Sequence, residues 1–235
     1  MSAPDWLTAR PIAHRGLHGP GLPENSLGAF AAAIEGGFAI ECDLQPAEDG
    51  TPMVFHDPVL GRLTGEDGRV DGRSVSELTA MRLAGTNERV PTLPAMLELV
   101  ADRVPIVLEL KGPQADPARF VRAVAEALAG YGGRAALMSF DHDLARMFGA
   151  DVPDRPRGLT AEGGDEAFDA HTAIYGEADL SFVSYHVDAL PCRFVSQVRG
   201  RGDPAITWTV RTPEQVATTM RHADQMTFEG FIPSP

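Results

Sequence analysis

Short apolar runs alternate along the chain with longer stretches whose apolar residues recur at helical spacing. PIAH (11–14), AIECDL (39–44), MVFH (53–56), VPIVLELK (104–111), AALMSF (135–140), DLSFVSYH (179–186) and PAITWTV (204–210) read as short buried strands. RPRGLT (155–160) supplies the strand of the least legible region, 156–180, and ADQMTF (223–228) a closing strand. Between them, SLGAFAAAIEGG (26–37) has a cap at Asn25 or Ser26 and glycines at its end. SVSELTAMRL (74–83) opens on the Ser74…Glu77 spacing of a capping box. TLPAMLELVADR (92–103), DPARFVRAVAEALAG (116–130), DHDLARMFG (141–149) and TPEQVATTMRHA (212–223) are further helical patterns. This alternation predicts parallel βα units. Seven or eight of them in 235 residues is the size of a single (β/α)8 TIM-type barrel, one domain over 1–235. A doubly wound open sheet is the alternative.

Polar residues interrupt these runs at particular places. Glu41 and Asp43 share one face of the second strand and Cys42 takes the other, turned to the helical layer. Two like charges persist there either at the solvated end of a strand or around a cation. Barrel active sites form where strands end. His14-Arg15 ends the first strand, Glu41 and Asp43 the second, His56-Asp57 the third, and Glu109 and Lys111 the fourth. Three carboxylates with no thiolate cluster suit a hard divalent cation such as Mg²⁺ or Ca²⁺. Two histidines beside it suit general acid and base, and Arg15 and Lys111 suit an anion. Together they suggest phosphoryl transfer or phosphodiester cleavage.

Bulk properties narrow the partners. A net charge of −13 argues against nucleic acid or an anionic membrane, while leaving room for a small anion in a locally basic pocket. No apolar run approaches the roughly 18 residues of a membrane helix. The first residues lack the basic and apolar regions of a signal peptide, so the expected location is cytoplasmic, without stable membrane anchoring. Cys42 and Cys192 are too few for a disulfide framework, though a single bridge stays open. Oligomeric state is not legible.

HRG (14–16), PENS (23–26), ECD (41–43), DGTPMVFHD (49–57), LGRLTGEDG (60–68), VPTL (90–93) and LELK (108–111) resemble, in order and spacing, the glycerophosphodiester phosphodiesterase family, a phosphatidylinositol-phospholipase-C-like barrel group. SFD (139–141) and TWTV (207–210) carry the resemblance over most of the chain. It implies a TIM-type barrel and metal-dependent hydrolysis of small glycerophosphodiesters to an alcohol and sn-glycerol 3-phosphate. It implies Glu41, Asp43 and Glu109 as ligands of one divalent cation, His14 and His56 as acid and base, and Arg15 with Lys111 near the phosphate. Residues 57–90 resemble the insertion such enzymes carry after the third strand, here short. Three departures stand out: PENS for PENT, Arg211 where asparagine is usual, and ADQMTFEGFIPSP in place of a DGIITDxP ending.

Glu24 and Asn25 are candidates for supporting the ligands, although capping alone explains Asn25. Trp208 is either core or a wall of the substrate pocket. Ser139, His142, Ser184, His186 and Arg211 are expected to be structural or peripheral, and His18, His171 and His222 to be surface or loop residues. The rival functions are a lipid-acting phospholipase D-like relative on the same barrel, a non-catalytic binder of phosphorylated ligands, and a metal-dependent aldolase or isomerase.

Overall fold

In the computed structural model the described residues are 3–233; the first two and last two residues of the expected domain lie outside them. Eight strands form a closed parallel barrel: β1 (Ile12–Ala13), β2 (Ala39–Pro46), β4 (Ile106–Leu110), β5 (Ala135–Ser139), β6 (Arg157–Ala161), β7 (Phe182–His186), β8 (Ala205–Val210) and β9 (Gln225–Phe228). Each pairs with its neighbour in parallel, and β1 closes the ring by pairing with both β2 and β9. The strand β3 (Pro52–Val54) stands outside this ring, antiparallel to β2.

That is a correction to the expectation that His56 ends a third parallel barrel strand. Only residues 47–51 separate β2 from β3. A parallel return needs a crossover of about a dozen residues or more, so five residues permit only a hairpin. Gly50, at φ +87, and the Asp49 carboxylate accepting from the Thr51 N–H make that tight turn. A second correction follows. Because β2 continues to Pro46 to pair with β3, Glu41 and Asp43 lie within the strand rather than at its end.

Helices pack outside the ring: α1 (Leu27–Glu35) before β2, α4 (Leu93–Val100) before β4, and α5 (Pro117–Ala129), α6 (His142–Asp151), α7 (Phe168–Glu177), α8 (Arg193–Gly200) and α9 (Pro213–His222) between the later strands. Ser26, Thr92, Asp116, Asp141 and Thr212 each accept a first-turn N–H of the helix they precede, satisfying donors that have no intrahelical partner. The region 57–90 folds as two short helices, α2 (Gly61–Thr64) and α3 (Val75–Ala80), over a small core of its own that includes Met53, Phe55, Leu60, Val70 and Leu78. The Ser74–Glu77 capping box is present at α3.

Strand parity then distributes the residues. Ile40, Cys42 and Leu44 face the helices, and Cys42 Sγ lies 3.4 Å from Met96 Sδ of α4. The alternate positions Ile12, Ala39, Val107, Ala136, Phe182 and Ile206 fill the barrel floor, with Leu7 below them. Gly158 is required there: a Cβ would stand 2.3 Å from the Phe182 ring. One step up each strand the apolar floor gives way to charge.

Candidate active site

Parallel register sets Asp43 beside Glu109 on the neighbouring strand, one inward step above the floor. Glu41, Asp43 and Glu109 are all buried, and their carboxylate oxygens come within 4.8 Å of one another. Lys111, just past β4, puts its Nζ 2.7 Å from Asp43 Oδ1 and in contact with Glu109 Oε1. Arg15 brings its Nε to 3.2 Å from Asp43 Oδ2. Burial alone would raise the Asp43 carboxyl, but Lys111 and Arg15 outweigh it and hold the group well below the usual carboxylate range. Glu41 differs. Burial, then Asp43 and Glu109, push its carboxyl well up, and its nearest charged-group partner is His14 Nε2 at 4.0 Å. A buried oxygen-donor set with an uncompensated carboxylate fits a hard divalent cation.

Asn25 braces this cluster. Its Nδ2 donates to Asp43 Oδ2 at 2.8 Å and its Oδ1 accepts from the Asp43 N–H at 3.3 Å. Ser26 is the helix cap, so capping does not account for Asn25. Both Arg15 (φ +55) and Asn25 (φ +54) are held in the left-handed region, and the Asn25 N–H donates to the Arg15 carbonyl at 2.9 Å. The same turn aims the Arg15 N–H at Glu41 Oε2, 2.9 Å away. Glu24 accepts from Arg15 Nη1 at 2.6 Å and is gripped by Arg62 at 2.8 and 2.9 Å.

The histidines arrive by different routes and meet at one cleft. His14 follows β1, and its Nδ1 is 2.6 Å from Glu229 Oε2, just beyond β9. His56 follows the β3 hairpin, and its Nδ1 is 2.6 Å from Asp57 Oδ1. Arg62 of α2 holds the same Asp57, tying the insertion to both His56 and Glu24. A carboxylate can only accept, so each ring donates from Nδ1 and keeps the Nε2 lone pair. Burial lowers the pKa of both rings, against the opposing pull of Glu229 on His14 and of Asp43 on His56.

The cleft, about 330 Å³, is lined by His14, Arg15, Glu41, His56, Glu109 and Lys111 together with β7 and β8 residues. A second hollow of about 340 Å³ adjoins it across His56, Glu109, Lys111 and Phe140. Trp208 is a wall of the first: it stands edge-on to Phe140 and His186 and donates to the Ser184 carbonyl at 3.2 Å. Ser184, His186 and Arg211, expected to be structural or peripheral, also line it. Ser139 is structural, its hydroxyl donating to the Leu110 carbonyl at 2.6 Å. His142 opens α6. His171 is no loop residue; on α7 it packs against Tyr185 and Phe194. His18 is a half-buried loop residue, and His222 ends α9.

Glu229 was missed by sequence reasoning, and with it the meaning of Arg211. Arg211 Nη2 donates to Glu229 Oε2 at 2.9 Å, so two departures from the family pattern are partners. His14 above all holds the Glu229 carboxyl down, to about 2.

The model of the glycerophosphoryl diester phosphodiesterase family matches residues 14–232. The chain belongs to that family. A glycerophosphodiester phosphodiesterase from Caldanaerobacter subterraneus is 30% identical, the match covering 87% of each chain. The solved structure of a phosphodiesterase from Oleispira antarctica in complex with its product, sn-glycerol 3-phosphate, is 23% identical at a TM-score of 0.85, over 94% of this chain and 92% of that one. A glycerophosphodiester phosphodiesterase from Thermotoga maritima is 24% identical at a TM-score of 0.76, over 92% of each chain. Both likenesses are to the same barrel. The enzyme is thus a phosphodiesterase of this family.

Proposed function

We propose that the enzyme hydrolyses glycerophosphodiesters to an alcohol and sn-glycerol 3-phosphate, with one divalent cation, Mg²⁺ or Ca²⁺, held by Glu41, Asp43 and Glu109. The observation that carries this reading is the histidine pair. Each ring is locked through Nδ1 to a carboxylate, and both line one cleft with the carboxylate cluster. The cation, when bound, would act as a Lewis acid on the phosphate. Arg15 and Lys111 bring further positive charge to the phosphate oxygens.

A neutral histidine takes, at its free Nε2, the proton of the attacking water, or of the vicinal glycerol hydroxyl, in which case a cyclic phosphate forms first and water then opens it. The anionic phosphodiester raises the pKa of the other, which then protonates the departing alcohol. Ser184 Oγ and Thr227 Oγ1 are buried in the cleft wall without hydrogen-bond partners among the described residues, and suit the hydroxyls of the glycerol arm. The adjoining hollow accommodates the second arm of the diester, on the far side of His56 and Lys111. A formal charge of −13 favours small soluble diesters over nucleic acid or membrane surfaces, and among the described residues no helix is long and apolar enough to cross a membrane.

The test is incubation with glycerophosphocholine, glycerophosphoethanolamine and glycerophosphoinositol, with Mg²⁺, with Ca²⁺, and with chelator, followed by assay of glycerol phosphate. Release that depends on the cation is expected. No release from any of the three with either ion would refute the proposal.

A further inference from the structure

Behind His14, on the side away from the carboxylate cluster, lies a second group of metal-ligating side chains. Nitrogen or oxygen atoms of His14, His18 and Glu229 come within 4.8 Å of one another. None of the three belongs to the Glu41–Asp43–Glu109 set. His14 Nδ1 is the nitrogen that faces Glu229. His18 has a buried Nε2 with no hydrogen-bond partner among the described residues. The hydrogen bonds from His14 and Arg211 both go to Glu229 Oε2, so Oε1 accepts none among the described residues.

We infer that His14, His18 and Glu229 form an inhibitory site for a borderline divalent transition metal, Zn²⁺ in particular, separate from the hard-cation site. Two imidazoles and one carboxylate are a zinc donor set, with water able to complete a tetrahedron. Mg²⁺ and Ca²⁺ prefer all-oxygen sets, so the two sites sort ions by donor type. The spacing is compatible. Ligand atoms around tetrahedral zinc stand roughly 3.3 Å apart, so the group needs only side-chain adjustment. Among the described residues Arg211 is the lysine or arginine bonded to this carboxylate, and its side chain is half-exposed.

The consequence for turnover rests on the role given to His14 above; the site itself does not. With Glu229 as acceptor, the neutral His14 ring carries its proton on Nδ1 and a lone pair on Nε2. A metal on Nδ1 displaces that proton to Nε2, so the ring keeps its neutral charge. Nε2 then has no lone pair to receive a proton, and a metal-held imidazole is not available to become imidazolium. Zinc would therefore silence His14 whichever of the two proton transfers it performs.

The experiment titrates Zn²⁺ calorimetrically into Mg²⁺-saturated protein, wild type and His18→Ala, and repeats the titration with Co²⁺ while recording the visible spectrum. The wild type should bind one zinc, and the cobalt form should show the strong visible absorption of a four-coordinate site. His18→Ala should keep its basal turnover and bind Zn²⁺ more weakly by at least the roughly 10–100-fold that losing an outer partner of a ligand costs. Zinc inhibition of the wild type should persist as Mg²⁺ is raised, and should be largely lost in His18→Ala. Unchanged zinc affinity in His18→Ala, or no zinc bound, would overturn the inference. So would inhibition that excess Mg²⁺ relieves, because that places zinc on the three carboxylates. If the enzyme turned over no glycerophosphodiester, the function proposed above would fall, while the binding and spectral readouts would still decide the zinc site.

Discussion

Asn25 offers the sharpest test of how the ligand cluster is held. It is 1% exposed, sits at φ +54, and makes two hydrogen bonds with Asp43, one from its amide to the carboxylate at 2.8 Å. Asn25→Ala removes both and forces a β-carbon residue without a compensating side chain into the left-handed region. The bond to a charged carboxylate contributes about 1.5–3 kcal/mol. The left-handed backbone costs alanine about 1–2 kcal/mol. Arg15 and Lys111 still neutralise Asp43, so the low end of the hydrogen-bond range applies, and with the smaller backbone cost about 2.5 kcal/mol should be lost. Asn25→Gly removes the same bonds without the strain and should lose about 1 kcal/mol less than alanine. Urea unfolding in chelator measures both. Outer support of this kind also sets ligand orientation, so calorimetry should show divalent-ion affinity falling roughly 10–100-fold in both variants. Alanine and glycine variants of equal stability would remove the backbone part of the argument. A glycine variant with wild-type stability and wild-type metal affinity would remove the rest.

Glu41→Gln and Asp43→Asn should both abolish divalent-ion binding and turnover, yet move stability in opposite directions in chelator. Glu41 is pushed towards its neutral form already, so the amide should be neutral or stabilising; Asp43 balances Lys111 and Arg15, and its loss should cost about 3 kcal/mol or more by urea unfolding. Glu229 titrates near 2 when folded, against an ordinary value of 4.5, so its stabilising contribution is full above about pH 4.5 and disappears as pH falls towards 2. Glu229→Gln should flatten stability across that window in acid titrations, and a slope identical to the wild type would contradict the His14–Glu229 pairing. His14→Ala and His56→Ala should each slow hydrolysis of glycerophosphocholine by roughly 10²–10⁴. On a glycerophosphoryl p-nitrophenyl ester, whose leaving group needs no proton, only one of the two should regain much of its rate; equal loss on both substrates would mean that neither is the acid.

How much of this was legible in the chain depends on how local the signal is. Most barrel strands and the capped helices are visible because each announces itself within a few residues: an apolar run, a Ser74…Glu77 spacing, a proline after Thr92. Helix α8 was not, since RFVSQVRG shows two arginines and only three buried positions, Phe194, Val195 and Val198. The hairpin at residues 47–51 was legible but misjudged: MVFH has a strand's composition, and only the length of the connection says that it cannot run parallel. The carboxylates and the lysine were legible because each lies in or beside a barrel strand whose alternation points it inward; His14 and His56 were legible as polar residues ending apolar runs, although His56 reaches the cleft from a hairpin outside the ring.

What escaped is information carried by ring closure. Glu229 lies 215 residues from His14, and nothing in FEGF marks it, because its partners arrive only when β9 pairs with β1. Arg211 and the altered ending stand in the sequence as two separate departures. Joined through one carboxylate oxygen, they form a single unit that orients His14. Glu24 is from the sequence only a candidate for supporting the ligands, and the fold shows what it touches: it receives Arg15 from one side and Arg62 from the other. Arg62 continues to Asp57 and so to His56. The insertion is thereby coupled to both Arg15 and His56, through charges that are unremarkable one by one. A change in the insertion that withdraws Arg62 would leave the three carboxylates in place and take from Asp57, the partner of His56, the arginine that holds it, so the short segment 57–90 supports the cleft as the barrel does.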